Sequence, residues 1–437
     1  MKPRQLFIDQ WGKKIVSLIL CIVFILSLAP LPLFATEHPD IHAPRAILMD
    51  EVTGEIIYEK NAYDPTYPAS TTKVLTAIVV LENANLEEMV HIDYEPNVTG
   101  ASMFILPGES FTVETLLKAL LIRSGNDVAE VLARHVSGSV DAFVDQMNEK
   151  AVEIGAQDTH FTNPHGLPDE GHLTTAYDLA VISRYAMQNP VFREIVSSPS
   201  LIIPETLETP EQRIYNNSNR FLWGRGPSHQ ILYQDQLVDI HHPRVDGIKT
   251  GFTNAAQYCL VSSATDENRR VIAVILNADR EHLYSDSRLL LDYGIDSYQL
   301  VTLTDEKMLA ASVPIKHGTR ETLSLFTEKA IHTIIPSHVS ANDITQVIET
   351  ADSYEAPIES NQALGKAIYY YENQILGETN LIAMETVEHL PIYRRIPVFA
   401  LVIAAGLIGF VLWRVHLFRY RKRKRKMYLR RQMERYE

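Results

Sequence analysis

The chain has 437 residues and a net charge of −14, and 46% of its residues are hydrophobic while 22% are charged. This composition is typical of globular domains and excludes a disordered or fibrous protein, and the length predicts two or three domains. Both ends of the chain are basic, so residues 36–395 form a strongly acidic body. Such a body repels phosphate, so we expect no nucleic acid among its partners.

The first 35 residues have the pattern of a secretory signal peptide. Four basic residues precede an almost wholly apolar run at 15–28, and the small residue Ala35 stands before Thr36. A basic segment, an apolar segment and a small residue at the cleavage point are typical of an exported protein. We expect cleavage after Ala35, with an uncleaved anchor as the alternative because Leu33 departs from the usual small residue.

Residues 43–297 mix strand and helix patterns and are predicted to form one domain. Strand-like composition is found at 45–50, 55–59, 258–263 and 271–276, and apolar residues recur at helical spacing at 74–81 and 113–121. Residues 266–269 are expected to form the turn of a hairpin, because turn-forming residues separate two strand-like runs there. His241 and His242 are expected on a solvated loop.

Two further segments follow this region. Short alternating stretches, such as 366–371 and 381–384, predict a small β-sandwich-like domain at 298–387. Residues 396–413 carry no charge and would span about 27 Å as a helix, enough to cross a bilayer core. The tail at 414–437 holds eleven lysines and arginines, so the positive-inside rule predicts that it is cytoplasmic and that the acidic body is extracytoplasmic.

Ser70 and Lys73 lie three residues apart, just before the apolar helical stretch. Residues at this spacing project from the same face of a helix. A serine hydroxyl becomes a strong nucleophile when a base takes its proton, and a neutral lysine can serve as that base. A serine at a helix start also has a free backbone N–H, which suits an oxyanion hole.

Two more short motifs follow in order. Ser124-Gly-Asn126 combines a hydroxyl that can relay a proton with an amide that can hold a substrate, although Ser340-Ala-Asn342 repeats the pattern and is interpreted as a turn. Lys249-Thr250-Gly251 begins a predicted strand and supplies a positive charge, a donor and a residue that allows close backbone approach. Each motif alone is weak, but the ordered combination behind a signal peptide is specific.

In these motifs the chain resembles the low-molecular-mass penicillin-binding proteins, the serine-type D-alanyl-D-alanine carboxypeptidases of bacterial cell walls. The matching segments are Pro-Ala-Ser-Thr-Thr-Lys at 68–73, Ile-Arg-Ser-Gly-Asn-Asp at 122–127, Asn-Pro-His-Gly-Leu at 163–167 and Val-Asp-Gly-Ile-Lys-Thr-Gly-Phe-Thr at 245–253. The resemblance implies an α+β, β-lactamase/transpeptidase-like catalytic domain with an antiparallel sheet flanked by helices. A small all-β domain and a C-terminal transmembrane helix would follow.

The resemblance also implies residue roles. Ser70 would attack the carbonyl between the two terminal D-alanines of a peptidoglycan stem pentapeptide, and Lys73 would take its proton. Ser124 would assist proton transfer. The residues expected to bind substrate are Asn126, Lys249, Thr250, Gly251 and Phe252, the last through its backbone N–H in the oxyanion hole.

The implied partners are the D-Ala-D-Ala terminus of the stem peptide, β-lactam antibiotics as covalent inhibitors, and the cytoplasmic membrane. No cofactor or metal is expected. Burial beside Lys249 is expected to lower the pKa of Lys73. His165 is expected to shape its loop rather than to catalyse.

Three alternatives remain open at this point. A class A β-lactamase shares the motifs, but the Glu-x-x-Leu-Asn loop that its deacylation requires is missing from the sequence. A non-catalytic wall-binding protein would not need intact motif residues. An endopeptidase or transpeptidase on the same fold would share every motif. Residues 224–240 are longer than the usual link into the Lys-Thr-Gly strand, which leaves the shape of the site near Lys249 open.

Overall fold

The computed structural model describes residues 38–266, 269–391, 398–433 and 435; the predicted signal peptide and the middle of the predicted turn at 266–269 lie outside them. Contacts between residues divide the described chain into two compact units. The first comprises 38–48, 56–263 and 273–293, and the second comprises the remainder.

Several of the helices up to residue 297 begin directly after a residue whose side chain caps them. They are α1 Lys73–Asn83, α2 Val113–Lys118, α3 Asn126–Ser137, α4 Val140–Glu153, α5 Ala176–Ala186, α6 Pro190–Ser197 and α7 Leu283–Ser297. Thr112, Ser139, Thr175 and Asn189 each accept a backbone N–H at the start of the helix that follows, which satisfies a donor without an intrahelical partner. In α1 every side chain from Lys73 to Val80 is buried, so this helix lies in the core.

A five-stranded sheet supports the motif residues. The strands of this region are β1 Arg45–Asp50, β2 Ile56–Lys60, β3 Met89–His91, β4 Ser110–Thr112, β5 Ser200–Ile203, β6 Arg213–Asn216, β7 Gln230–Tyr233, β8 Gln236–Asp239, β9 Val245–Thr253, β10 Gln257–Thr265 and β11 Arg270–Ala278. The sheet order is β2-β1-β11-β10-β9, which places β9 at an edge. Short connections join β1 to β2, β9 to β10 and β10 to β11, so these neighbours are antiparallel. Residues 271–276 are completely buried, and because successive side chains point to opposite faces, both faces of the sheet are covered.

The long segment at 224–240 contains a hairpin. Strands β7 and β8 pair antiparallel with Leu232 opposite Leu237. The expectation that both following histidines are solvated is wrong for His242, which is buried and forms a 2.8 Å contact between its Nε2 and an Asp292 carboxylate oxygen. A carboxylate partner makes burial of an imidazole possible.

The second unit is mainly β-structure, as the sequence predicts. Its strands are β12 Tyr298–Thr304, β13 Leu309–Lys316, β14 Thr322–Thr327, β15 Ile331–Pro336, β16 Ile344–Thr350, β17 Tyr354–Glu355, β18 Ala363–Tyr371 and β19 Gln374–Ala383. Six of them form a sheet in the order β16-β18-β19-β14-β13-β17, and β12 pairs with β15. Buried Val313, Leu325 and Leu381 belong to its hydrophobic core.

The chain ends in one long helix, α8, at Val398–Met433. Of the helices in the described part of the chain, it is the one that is long and apolar enough to cross a membrane. Most of its described apolar side chains are exposed, as a membrane anchor requires. The helix continues through the basic tail, beyond the predicted end of the span at residue 413, because lysine and arginine are good helix formers.

Candidate active site

Ser70 and Lys73 meet at the start of the central helix. Ser70 lies in a 3₁₀ turn at Ala69–Thr72. This turn leads directly into α1, which begins at Lys73, so Ser70 is not itself in the α-helix. The Lys73 ammonium donates to Ser70 Oγ at 3.0 Å, to Asn126 Oδ1 at 2.7 Å and to the His165 carbonyl at 2.6 Å. Lys73 is completely buried, whereas Ser70 faces a cavity. The structure therefore places a base candidate within hydrogen-bond distance of the hydroxyl.

The second serine is presented by an unusual backbone. Ser124 has φ +70°, a left-handed conformation, and stands between a π-helical turn at Ala119–Arg123 and α3. This sharp change of direction points its hydroxyl toward β9, where Lys249 Nζ donates to Ser124 Oγ at 2.9 Å. Lys249 also donates to the Thr250 carbonyl at 2.9 Å. The two serine–lysine pairs thus lie in one site.

Asn126 connects the site to the surrounding loop. Its backbone N–H donates to the Ala101 carbonyl at 2.7 Å, and its Nδ2 donates to the Thr99 carbonyl at 2.6 Å. These bonds orient the carboxamide so that its oxygen accepts from Lys73. Asn126 therefore positions the base in this structure, in addition to the substrate-binding role that the resemblance implies.

Two buried lysines, Lys73 and Lys249, dominate the electrostatics, and neither forms a salt bridge with a carboxylate among the residues that the structure describes. Burial lowers the pKa of Lys73 well below its ordinary value, and the charge of Lys249 lowers it further, against an opposing effect of Asp127. Burial lowers the pKa of Lys249 to about 7. The Asp127 carboxylate is occupied by Ser102 Oγ at 2.7 Å and by the Met103 N–H at 3.0 Å. The lowered pKa of Lys73 agrees with the expectation from the sequence and favours the neutral amine that a base requires.

Strand β9 approaches the nucleophile closely at Gly251. A Cβ at this position would lie 3.0 Å from the Ser70 nitrogen and 3.1 Å from the Ala69 Cβ. The strand's contact with the 3₁₀ turn therefore favours glycine here, because a larger residue would force its neighbours to shift by a few tenths of an ångström. Phe252 follows with a half-exposed side chain packed on Tyr258, the ring centroids being 4.5 Å apart.

The loop at 163–167 closes the other side of Lys73. Gly166 has φ +87°, and a Cβ there would lie 1.9 Å from the Ala69 carbonyl oxygen, so only glycine fits. His165 contributes its backbone carbonyl, while burial and then the charge of Lys73 lower the pKa of its imidazole to about 3. A neutral ring and a bonded carbonyl agree with the expected loop-shaping role.

A cavity of about 300 Å³ lies over these residues, lined by Ser70, Ser124, Thr250, Gly251 and Phe252 among others. Sequence reasoning missed two arginines in its wall, Arg220 and Arg280. The Arg220 guanidinium lies over the Tyr284 ring at 4.9 Å, and in the described part of the chain neither arginine forms a salt bridge with a carboxylate. No sequence motif marks either arginine; only the need for a cation to pair with an anionic substrate terminus could have directed attention to arginines.

Taken together, the geometry defines a serine hydrolase in which a lysine, rather than a histidine, accompanies the nucleophile. Residues 33–280 match the family model described as D-alanyl-D-alanine carboxypeptidase, and residues 298–389 match the one described as penicillin-binding protein 5, C-terminal domain. The chain therefore belongs to the D-alanyl-D-alanine carboxypeptidase family of serine peptidases, as the motifs predict.

Individual relatives agree with this assignment. The chain is 30% identical over 386 residues to D-alanyl-D-alanine carboxypeptidase DacF of Bacillus subtilis, covering 85% of this chain and 94% of the relative. It is 37% identical over 274 residues to DacB2 of Mycobacterium tuberculosis, covering 60% and 86%. The crystal structure of penicillin-binding protein 5 from Haemophilus influenzae superposes with a TM-score of 0.68 at 26% identity, covering 80% and 99%. These similarities favour the carboxypeptidase over the β-lactamase and the non-catalytic protein.

Proposed function

We propose that the chain removes the terminal D-alanine from peptidoglycan stem pentapeptides through an acyl-enzyme on Ser70. The observation that carries this proposal is the contact between the Ser70 hydroxyl and a buried Lys73 whose pKa is depressed. Neutral Lys73 accepts the hydroxyl proton as Ser70 Oγ attacks the carbonyl carbon of the penultimate D-alanine. The carbon–nitrogen bond breaks, D-alanine leaves, and water then hydrolyses the ester.

The second serine–lysine pair protonates the leaving group. The departing amine needs a proton, and Ser124 Oγ accepts a hydrogen bond from Lys249, so a proton can pass along this pair. The pKa of Lys249 near 7 suits a group that gives up and regains a proton at neutral pH. The backbone N–H groups of Ser70 and Phe252 stabilise the oxyanion.

The arginines in the cleft wall bind the terminal carboxylate of the substrate. Lys73 and Lys249 are buried and bonded to the two serines, which leaves Arg220 and Arg280 as cations of the cavity wall available to an anion. Guanidinium groups pair well with carboxylates. The leaving D-alanine therefore lies at the arginine end of the cleft, and the stem peptide extends from Ser70 in the other direction, along β9.

We place this chemistry outside the cytoplasmic membrane. The proposal follows from the predicted cleavage after Ala35 and from the apolar helix α8, whose basic end favours the cytoplasm. Residues 298–387 follow the catalytic domain at 43–297 along the chain and precede the membrane helix. β-Lactams, which mimic the D-Ala-D-Ala terminus, are expected to acylate the same serine.

One experiment tests the proposal directly. The full-length chain in detergent micelles is incubated with a stem pentapeptide, and mass spectrometry follows the loss of one alanine. We expect the wild type to release D-alanine and to bind fluorescent penicillin covalently, and the S70A variant to do neither. The Ser70 hydroxyl caps no helix and accepts a hydrogen bond from Lys73; a typical hydrogen bond contributes only about 0.5–1.5 kcal/mol of stability, so S70A should remain folded. Undiminished labelling of S70A would refute the role of Ser70.

A further inference from the structure

One buried histidine has no part in the chemistry described above. His172 lies in the segment before α5 and is completely buried. Burial lowers the pKa of its imidazole to about 4, so the ring is neutral at physiological pH. The Phe161 ring packs against it with 5.0 Å between the ring centroids, which restricts its orientation. A neutral imidazole donates a hydrogen bond from one nitrogen and accepts one on the other, so His172 can connect two groups.

The two ring nitrogens of His172 contact two different segments of the chain. The Thr162 backbone N–H donates to His172 Nδ1 at 3.0 Å, so this nitrogen carries no proton. The proton of the neutral ring is therefore on Nε2, which lies 2.9 Å from Thr72 Oγ1 and donates to it. The Thr72 hydroxyl donates its own proton to the Ala69 carbonyl at 2.9 Å. The hydrogen bonds thus run in one direction, from the Thr162 amide to the Ala69 carbonyl.

The last acceptor of this series belongs to the peptide unit that carries an oxyanion donor. The Ala69 carbonyl and the Ser70 N–H are parts of one trans peptide plane, so they point in opposite directions. The carbonyl oxygen is held by Thr72, while the Ser70 nitrogen lies near strand β9, where a Cβ on Gly251 would be 3.0 Å from it. The direction of the Ser70 N–H is therefore set by the hydrogen bond that holds the Ala69 carbonyl.

This peptide unit has a backbone conformation that must be stabilised by its surroundings. Ala69 has φ +49°, in the left-handed region that is unfavourable for residues other than glycine. The hydrogen bond from the Thr72 hydroxyl to the Ala69 carbonyl is available only in this conformation of the 3₁₀ turn. The same bond draws electron density from the amide, which makes the Ser70 N–H a stronger donor.

We infer that His172 is a positioning residue, which holds the Thr72 hydroxyl so that the peptide unit before Ser70 aims its N–H at the oxyanion. The inference rests on the proposed function, because it uses the acyl-enzyme on Ser70 and the oxyanion that forms there. His172 does not line the cavity over Ser70, and it acts only through Thr72. Because the oxyanion exists only during reaction, the effect of His172 falls on the chemical step and not on binding.

Two substitutions separate the two hydrogen bonds of His172. In H172N the amide oxygen can replace Nδ1 as the acceptor for the Thr162 N–H, but no donor reaches Thr72. In H172Q the longer amide can donate to Thr72 from the place of Nε2, but the acceptor for Thr162 is lost. Single-turnover acylation of the full-length chain in detergent micelles by a fluorescent penicillin gives the rate constant and the Kd separately.

The two variants should behave differently in this measurement. H172N should acylate about 100-fold more slowly, the loss expected when a catalytic group is displaced by about 1 Å. Its Kd for penicillin should not change. H172Q should recover most of the wild-type rate, because the Thr72 hydroxyl is again held. On the other side of the same hydrogen bond, T72V should be as slow as H172N, and T72S should acylate nearly as fast as the wild type.

An infrared spectrum of the acyl-enzyme reports on the oxyanion hole itself. The penicilloyl ester carbonyl, labelled with carbon-13, accepts hydrogen bonds in the oxyanion hole, and such bonds lower its stretching frequency. The band should lie at higher frequency in H172N and T72V than in the wild type, H172Q and T72S. The double variant T72V/H172N should be no slower than T72V, because both changes interrupt one series of bonds. A general loss of stability would not produce this pattern.

His160 supplies a matched control from the same part of the chain. It is exposed and donates to the Gly171 carbonyl at 3.0 Å, outside the series that ends at Ala69, so H160N should match the wild type in rate and band. A wild-type rate and band in H172N or in T72V would overturn the inference alone, as would an H172Q as slow as H172N. If the His172 variants did not fold, T72V against T72S would decide. A wild type that penicillin does not acylate would overturn the proposed function, and the inference with it.

Discussion

The same short polar pattern occurs in both units of the molecule with different structural results. In the first unit Ser124 of Ser124-Gly-Asn126 is buried, has φ +70° and accepts a hydrogen bond from Lys249. In the second unit Ser340 of Ser340-Ala-Asn342 is exposed and caps a 3₁₀ turn at Ala341–Asp343, with both bonds of a capping box present. The second is the turn that the sequence predicts.

The lysines of the two units differ in the same way. Lys73 is completely buried among a serine, an amide and a carbonyl, whereas Lys366 is exposed and paired with Glu378 at 2.8 Å. Burial lowers the pKa of Lys73, while the hydrogen bond to Glu378 raises the pKa of Lys366. The residue type is shared, and the surroundings decide whether it can act as a base.

The largest expected effect concerns the two lysines. K73R should reduce the rate of penicillin acylation about 1,000-fold, because general-base catalysis contributes about 10²–10⁴ in rate and arginine remains protonated. K366R should acylate at the wild-type rate, since it preserves an exposed ion pair. Stopped-flow measurements with a fluorescent penicillin check both variants. If K73R acylated at the wild-type rate, Lys73 would not be the base, and burial would not explain the difference between Lys73 and Lys366.

A smaller effect is expected for the two serines. S124A should slow turnover of the stem pentapeptide about 100-fold, because the departing amine loses its route to a proton. S340A removes a helix-type cap and should lower the free energy of unfolding by about 1 kcal/mol, with kcat and KM unchanged. Steady-state kinetics together with denaturant unfolding of both variants provides the check. If S340A impaired turnover as strongly as S124A, the difference in burial between the two serines would not explain why only one of them takes part in catalysis.

The smallest expected effect is a change in the free energy of unfolding with pH. The pKa of Lys249 is about 7 in the folded protein, below its unfolded value of about 10.5, so the unfolded chain binds more protons between these values. The free energy of unfolding should therefore rise with pH from about 7 to about 10, and each unit of pKa difference corresponds to about 1.4 kcal/mol.

K249M, which carries no titrating group at that position, should show a smaller rise over this range. K366M is the control, because its lysine is exposed and its pKa is raised rather than lowered. Denaturant titrations of the three proteins at several pH values measure the slopes. A slope for K249M equal to that of the wild type would show that Lys249 is already charged in the folded protein.

Local patterns predicted the elements and the motif residues well. The strands at 45–50 and 271–276 and the helix after Ser70 agree with the structure, because period-two and period-3.6 apolar patterns reflect burial of one face or both. The lowered pKa of Lys73 was also predictable, since a lysine required as a base must be buried beside another cation. The order of the three motifs along the chain is therefore sufficient to predict acyl transfer by a serine with a lysine as its base.

Other features depended on residues far apart in the chain. Arg220 and Arg280 have no sequence motif, and they share the cleft wall only because β11 ends beside the segment that follows β6. The tight space at Gly251 comes from the 3₁₀ turn at Ala69–Thr72, and the partner that allows His242 to be buried is Asp292 on α7. Each of these needs a contact that spans tens of residues, which no local pattern encodes.

The sequence by itself determined which residues are chemically able to perform acyl transfer, the mainly β character of the second unit, and the apolar segment that can anchor the chain. Tertiary structure alone decided that the segment at 224–240 is a hairpin attached to α7 and that Arg220 and Arg280 share the wall of the cleft. The physical reason is that secondary structure and nucleophile chemistry follow from local side-chain properties. A cavity exists only where distant elements pack, and its shape is set by all of them together.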